Sequence, residues 1–365
     1  MSKLTTRWAT EPEVADWDSL VADNPAGGDF LLSTTIADAK IPFGMKPLRI
    51  VFERDGERVS CALVLERRVP LLGRFWSITR APAVATVAEF EEHMDALRRF
   101  VRAEGKGVFV ATIEPPIIST AEAEAKLAAS TPLNAPDLVR REGIQGNTHT
   151  VLVPVQLDDE ALLMSYPKKT RNMVRRAQRD GVVVRELEPT QATFDRMHEL
   201  MRSVGGGDKE GLMLKPKPYV ESVWRGFAER GQGRFFGIET DGTIAVMAFV
   251  IRSGTKGFYK DGGSERELTT PGMSNLLHYE IMRHLRDEGV DVYDMFGVAP
   301  PEATNNADHV SFASGNFKLT FGPRTTFIGA FDLIVRRAQH SLWQRIGERA
   351  FAKVYRTRTG DFSIY

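Results

Sequence analysis

Apolar positions along the chain follow two rhythms. In short runs bounded by Gly, Pro and Asp they alternate or cluster, which predicts strands; over longer stretches they return every three or four residues, which predicts helices. The first rhythm marks 48–53 and 59–66, joined by an Asp55-Gly56 turn, then 75–79, and 108–113, which stops at Pro115-Pro116. It returns at 149–155, 182–186, 234–239, 244–251, 257–260 and 290–294, and near 326–333. The second rhythm marks helices over 11–23, 34–40, 87–103, 119–128, 167–179, 191–204, 218–230 and 273–288. A short helical piece follows 294, and a final helix runs from about 335 to 356; Gly205-Gly206-Gly207 reads as a loop.

The pattern repeats. Residues 52–64 align without gaps on residues 238–250, an offset of 238 − 52 = 186, and Glu, Asp, Gly, Ala and Val recur at equivalent places. Each copy is strand, Asp-Gly turn, strand, and each is followed by a strand, a helix and another strand. Two copies of one α/β unit are expected.

Charge and chemistry refine this picture. Forty-eight basic residues balance 48 acidic ones, which argues against a generally polyanion-binding surface. The balance is a cancellation of local excesses: residues 168–179 carry six bases and no acid, 336–358 carry seven bases and one acid, and 11–23 carry five acids and no base. The single cysteine, Cys61, lies in a strand and reads as a core thiol; with no disulfide, no apolar leader and no long apolar span, a cytoplasmic protein is expected. The seven histidines show no metal-ligand spacing, so no metal is expected, and neither a Gly-x-Ser-x-Gly elbow nor a Walker loop occurs. Arg102–Gly107 fits the Arg-x-x-Gly-x-Gly form of an acetyl-CoA pyrophosphate loop, but it closes a helix where such a loop must open one. A helix C-cap is the better reading.

Two runs carry candidate chemistry. In 166–181, Lys168, Arg171, Arg175 and Arg179 fall on one helical stripe, suited to phosphate or to plain solvation, while Met173, Val174 and Ala177 can face the core. The other comprises Val292-Tyr293-Asp294-Met295-Phe296-Gly297-Val298 and, after a Pro/Asn-rich loop, Ser314–Gly322. Asp294 and Gly297 lie where a strand ends and a ligand crevice opens, and Lys318 sits between Phe317 and Phe321. Such a lysine either snorkels to the surface or sets a cation against a developing oxyanion.

Taken in order, Lys169-Thr170-Arg171-Asn172 through Arg176-Ala177 and Gly181-Val182, Tyr293-Asp294 with Gly297, Phe317-Lys318 with Phe321-Gly322, and Ile328–Leu333 resemble the Fem family of aminoacyl-tRNA-dependent peptidoglycan-bridge aminoacyltransferases. The match covers most of 150–335. The resemblance implies an α/β (α+β) fold of two tandem GNAT (acyl-CoA N-acyltransferase)-like domains without an inserted coiled coil: 1–147 plus about 323–365, and 148–322. It implies transfer of an amino acid from its tRNA ester to the amine of the third stem-peptide residue on UDP-MurNAc-pentapeptide or lipid II. Aminoacyl-tRNA is then a co-substrate and no cofactor is needed. By the same resemblance Lys318 is catalytic, with Phe317 beside it, and Glu114 orients or deprotonates the amine. Lys40, Lys215, Tyr219, Tyr259 and Asp294 bind substrate, Lys215 standing where the family has an arginine; Lys168, Lys169, Arg171, Arg175, Arg176 and Arg179 meet tRNA.

The final helix has an apolar face of Leu342, Trp343, Ile346, Ala350, Phe351 and Val354. Core packing and peripheral contact with the cytoplasmic face of the inner membrane both fit it. The chain is expected to act as a monomer. Two other classes remain: an acyl-CoA-dependent N-acyltransferase of GNAT type, and a non-catalytic module that binds tRNA or cell-wall precursor.

Overall fold

The computed structural model describes residues 3–25, 27–204, 215–307, 312–361 and 363–365. The chain divides into two compact units, residues 1–148 with 326–365, and residues 149–325. The loop expected at 205–207 lies outside the described residues. Among the described residues there are fourteen strands: β1 (Thr5–Trp8), β2 (Met45–Arg54), β3 (Glu57–Val69), β4 (Gly73–Thr79), β5 (Val108–Glu114), β6 (Leu138–Arg141), β7 (His149–Pro154), β8 (Arg185–Leu187), β9 (Gly233–Thr240), β10 (Thr243–Ser253), β11 (Lys256–Ser264), β12 (Val292–Asp294), β13 (Arg324–Thr326) and β14 (Ala330–Ile334).

The sheet of the first unit has the order β1-β2-β3-β4-β5-β14-β6, and that of the second β13-β7-β12-β11-β10-β9-β8. The second order is the first read backwards, with β9, β10, β11 and β12 in the places of β2, β3, β4 and β5. In both, the third and fourth members of that set pair in parallel across a long helix, Val87–Glu104 or Met273–Asp287. The repeat extends to irregularities. Asp55 and Gly56 both take positive φ, 54° and 82°, as do Asp241 and Gly242, 51° and 77°, the conformation a two-residue hairpin turn requires. Each hairpin also carries a bulge: Val59 is the extra residue on β3 and Ala245 on β10, again 186 apart.

The first unit is completed by a strand from beyond the second: β14 pairs with β5 and β6, while β7, the first strand of the second unit, pairs with β12. The apolar segment expected as one strand near 326–333 is therefore two strands in two sheets. They part at Gly329, at φ 87°, where a Cβ would stand 2.7 Å from the Arg141 carbonyl oxygen. The acidic helix expected over 11–23 is likewise two, Glu11–Ala15 and Trp17–Ala22. Three of its five acids are engaged: Glu13 pairs with Arg7 at 2.7 Å, Asp18 accepts from the Thr34 amide and Asp23 meets Arg58 at 3.4 Å. Strands β1 and β6 and the helix Asp159–Ser165 were not expected from the pattern.

The two cores are separate clusters. Trp76, Phe90, Leu97 and Phe331 belong to the first; Tyr166, Val174, Ile281 and Tyr293 to the second. Cys61 is buried on β3, and burial pushes its thiol up to about 12, an inert core residue. Gly105 caps the helix Val87–Glu104, its amide donating to the Val101 carbonyl, so the Arg102–Gly107 run is indeed a helix end.

Candidate active site

The second unit opens where the first stays closed. β11 and β12 pair at Lys256–Val292, Gly257–Tyr293 and Phe258–Asp294 only. Beyond that β12 keeps to β7, the Met295 and Val298 amides donating to the Val151 and His149 carbonyls. Asp294 fixes the departure: its buried carboxylate accepts from Thr150 Oγ1 and, at 2.8 Å, from the Phe296 amide, and Phe296 takes φ 62°. β11 continues to Ser264 beside β10. The gap holds a cavity of about 420 Å³, lined by Tyr259–Ser264, by Ser274, Leu277 and His278 of the helix Met273–Asp287, and by Phe317 and Lys318 of the helix Phe312–Lys318.

A bulge aims the β11 residues. Phe249 faces Asp261 and Val250 faces Tyr259, so Lys260 is extra and bends the strand at the cavity. Glycine then keeps it open. A Cβ on Gly262 would stand 2.2 Å from the Tyr259 hydroxyl, and one on Gly263 2.4 Å from the Leu200 carbonyl carbon.

Lys318 is half-buried, donates from Nζ to the Gly297 carbonyl at 3.0 Å, and lies 5.2 Å from the Tyr259 ring centre. Burial brings its pKa down to about 8; Asp294 and then Asp261 sustain the cation, and Lys260 opposes it. The lysine is thus still charged at neutral pH, but only partly solvated. His278, buried, meets Tyr293 Oη at 3.1 Å and packs its ring 4.5 Å from Tyr259 and 5.5 Å from Phe317. Burial and then the Lys318 charge lower it to about 3, so it is neutral. Asp261 accepts from Trp224 Nε1 at 2.8 Å and pairs with Lys260 at 3.1 Å. Each carboxylate oxygen retains acceptor capacity.

Of the residues singled out in the sequence, Tyr259, Phe317 and Lys318 meet around this cavity, with Asp294 behind them. The basic helix is Lys168–Arg179, with Thr170, Val174 and Ala177 buried and Met173 half-buried. Part of its stripe is engaged. Arg171 donates to the Tyr166 carbonyl at 2.7 Å, Arg175 meets Glu160 at 3.2 Å and Arg176 meets Asp180 at 3.6 Å. Lys168, Lys169 and Arg179 are exposed and form no ion pair among the described residues. Lys215 stands 5.7 Å from the ring of buried Tyr219, and neither is among the described residues lining the cavity.

Lys40 and Glu114 belong to the first unit. Lys40 is buried, donating at 2.7 Å to the Tyr365 main-chain oxygen. Glu114, at 0% exposure, accepts from the Ile144 and Gln145 amides at 3.0 and 3.2 Å and lies 3.5 Å from Arg80. Burial pushes its carboxyl up against the opposing pull of Arg80 and the two amides. The carboxylate expected to face a reacting amine is enclosed within its own unit.

Sequence reasoning missed Lys260, Asp261 and His278. The run Tyr259–Ser264, which carries two charges and two glycines in a strand, held the signal for the first two; His278 hides in an apolar helical pattern. Among the described residues no group of three or more His, Cys, Asp or Glu is placed to hold a metal ion. No helix there is long and apolar enough to cross a membrane.

The reversed sheet order, the parallel pair and the opened cleft fit a fold of two GNAT-like units in tandem. The family described as Acetyltransferase (GNAT) domain matches residues 165–305. The chain is similar to the lipid II:glycine glycyltransferase of Staphylococcus aureus (strain MRSA252), 21% identical over 409 aligned positions that cover 91% of this chain and 94% of the relative. The enzyme of that name from Staphylococcus haemolyticus (strain JCSC1435) is 20% identical over the same shares. In fold, the chain resembles the crystal structure of FemX, with a TM-score of 0.77, 20% identity and coverage of 94% and 99%. A conserved Bacteroides thetaiotaomicron protein of unknown function follows with a TM-score of 0.55, 11% identity and coverage of 92% and 100%. Over nearly its whole length, then, the chain is similar to Fem-type proteins.

Proposed function

We propose that this protein is an aminoacyltransferase of peptidoglycan assembly, moving an amino acid from aminoacyl-tRNA to an amine on the stem peptide of lipid II or UDP-MurNAc-pentapeptide. The observation that carries the reading is the half-desolvated Lys318 ammonium at the wall of the second unit's cavity. The acceptor amine attacks the ester carbonyl, forming a C–N bond and placing negative charge on the carbonyl oxygen. Lys318 Nζ stabilises that oxyanion. Collapse breaks the C–O bond, and the tRNA ribose hydroxyl leaves with the proton the amine gives up. The ester is already activated, so positioning and charge stabilisation suffice and no cofactor enters.

The donor brings its own ammonium. An α-amino group has an ordinary pKa of about 8 and is largely cationic at neutral pH. Asp261 is the one carboxylate among the described cavity residues, and we assign it to that group. The exposed Lys168, Lys169 and Arg179, with Arg171, Arg175 and Arg176, are assigned to tRNA phosphates. Lys40, Lys215 and Tyr219 are assigned to the precursor. Glu114 is assigned to holding Arg80 and the 144–145 turn rather than to proton transfer.

One observation favours acyl-CoA instead: the acetyltransferase match over 165–305. Against it, the segment from β11 into the long helix is Glu265–Gly272, which lacks the glycine-rich amide cradle that pyrophosphate needs. The test is incubation with a pool of charged tRNAs and either UDP-MurNAc-pentapeptide or lipid II, read by product mass. Addition of one or more aminoacyl masses supports the proposal. No addition, together with thermal stabilisation by acetyl-CoA, favours the second reading.

A further inference from the structure

The final helical stretch presents two apolar faces, and only one has a partner among the described residues. It comprises Arg337–Leu342, a π-helical turn Trp343–Gly347, and Glu348–Thr359. Its inner face is anchored in the first unit. Trp343 is buried against Phe75 and Phe109, with ring centres 6.0 and 5.8 Å away, and the Arg67 guanidinium lies 4.4 Å from the Tyr355 ring. The outer face carries a second row, Leu342, Ile346, Ala350 and Val354, at successive i, i+4 positions, every member exposed.

Charge on that outer side has one sign. Arg345, Arg349 and Lys353 each precede a member of the apolar row, and Arg356 follows; all four are exposed. The only acid in 336–358, Glu348, is turned inward, meeting Arg141 at 3.0 Å and the Tyr365 hydroxyl. Beside the π-helical turn lies the tip between β3 and β4. Leu72 Cδ1 is 3.4 Å from where a Gly347 Cβ would stand. Next to it Leu71 is fully exposed at φ 66°, flanked by exposed Arg68 and Arg74. A leucine held in the left-handed region and buried in nothing is strained without any return in packing.

We propose that this surface, the Leu71 tip with the Leu342–Val354 row, docks on a bilayer containing anionic lipid. Apolar side chains flanked by arginine and lysine, on a helix already fixed by its other face, match an interface of acyl chains beneath phosphate headgroups. An RNA backbone would use the cations and leave the apolar row uncovered. A second copy of the same face would set like charges against each other. The docking does not depend on the transferase reading, because it is measured without turnover.

The test is sedimentation of the full-length protein with vesicles of phosphatidylcholine alone or with about a third phosphatidylglycerol. Wild type is expected to bind the anionic vesicles at least tenfold better than the neutral ones. Leu71→Gly/Ile346→Ser and, separately, Arg345→Glu/Arg349→Glu are each expected to reduce anionic-vesicle binding at least tenfold; glycine suits the Leu71 backbone and Ile346 is exposed, so the first variant keeps its fold. No binding to either vesicle overturns the proposal, as does equal binding to both. So does a basic-residue variant that loses tRNA affinity while keeping its affinity for vesicles.

Discussion

The two units share a plan and differ at one place. In the first, β4 and β5 stay paired from Arg74–Val108 through Thr79–Glu114, and the end of the pair is filled by Glu114 and Arg80. In the second, the equivalent strands separate after three residue pairs, and glycine occupies the positions where a Cβ would collide. A parallel pair that continues becomes core; one that parts leaves unpaired strand facing a helix, which is where polar side chains can work. The duplicated unit thus provides a closed frame and an open one, and the residues of the proposed chemistry collect in the open one.

The largest effect should come from breaking the closed end. Glu114→Ala strands the Arg80 charge and two amides in a dry interior, at a cost of about 3 kcal/mol or more. Thermal unfolding of that unit should fall by roughly 6–12 °C. An unchanged melting temperature would mean that the pair does not hold the frame. In the open unit, Gly262→Ala forces the Tyr259 ring from beside Lys318. Turnover should drop about tenfold with folding retained, measured as kcat beside a circular dichroism melt.

The pH dependence sharpens the same contrast. In the proposed mechanism the Lys318 cation is the working form, present below about 8 and lost as pH rises through it. A kcat profile should therefore fall about tenfold per pH unit on its alkaline side. His278, near 3, should contribute no limb around neutrality. The smallest effect concerns tRNA. Lys168→Gln/Lys169→Gln should flatten the slope of log affinity against log salt by about 2, with only a modest loss at low salt. An unaltered slope would return those lysines to ordinary solvation.

Much of this plan was legible in the sequence. The Asp-Gly hairpins showed the duplication, and their bulges keep the same 186-residue spacing. The pairing of β14 with β5 and β6 was not legible in the hydrophobic pattern, because period is local while strand partnership is not. Nor was the break at Gly329, since 326–333 reads as one strand until a backbone carbonyl excludes a side chain. Lys318 and Phe317 were found through family resemblance rather than spacing. Lys260 and Asp261 needed the β11 register, which a bulge alters and a sequence does not display. Glu114 was placed at the end of its strand, but its burial depends on Arg80 and on a turn about 30 residues later.

The proposed reaction takes place in the open cleft of the second unit. The direct measurement is the rate of aminoacyl transfer from charged tRNA by wild type, Lys318→Ala and Glu114→Gln, at a temperature where all three are folded. The expected result is a loss of about 10²–10³-fold for Lys318→Ala with precursor binding intact, and a rate within a few-fold of wild type for Glu114→Gln. Near-normal transfer by Lys318→Ala, with collapse in Glu114→Gln, would contradict it and move the reaction to the closed unit.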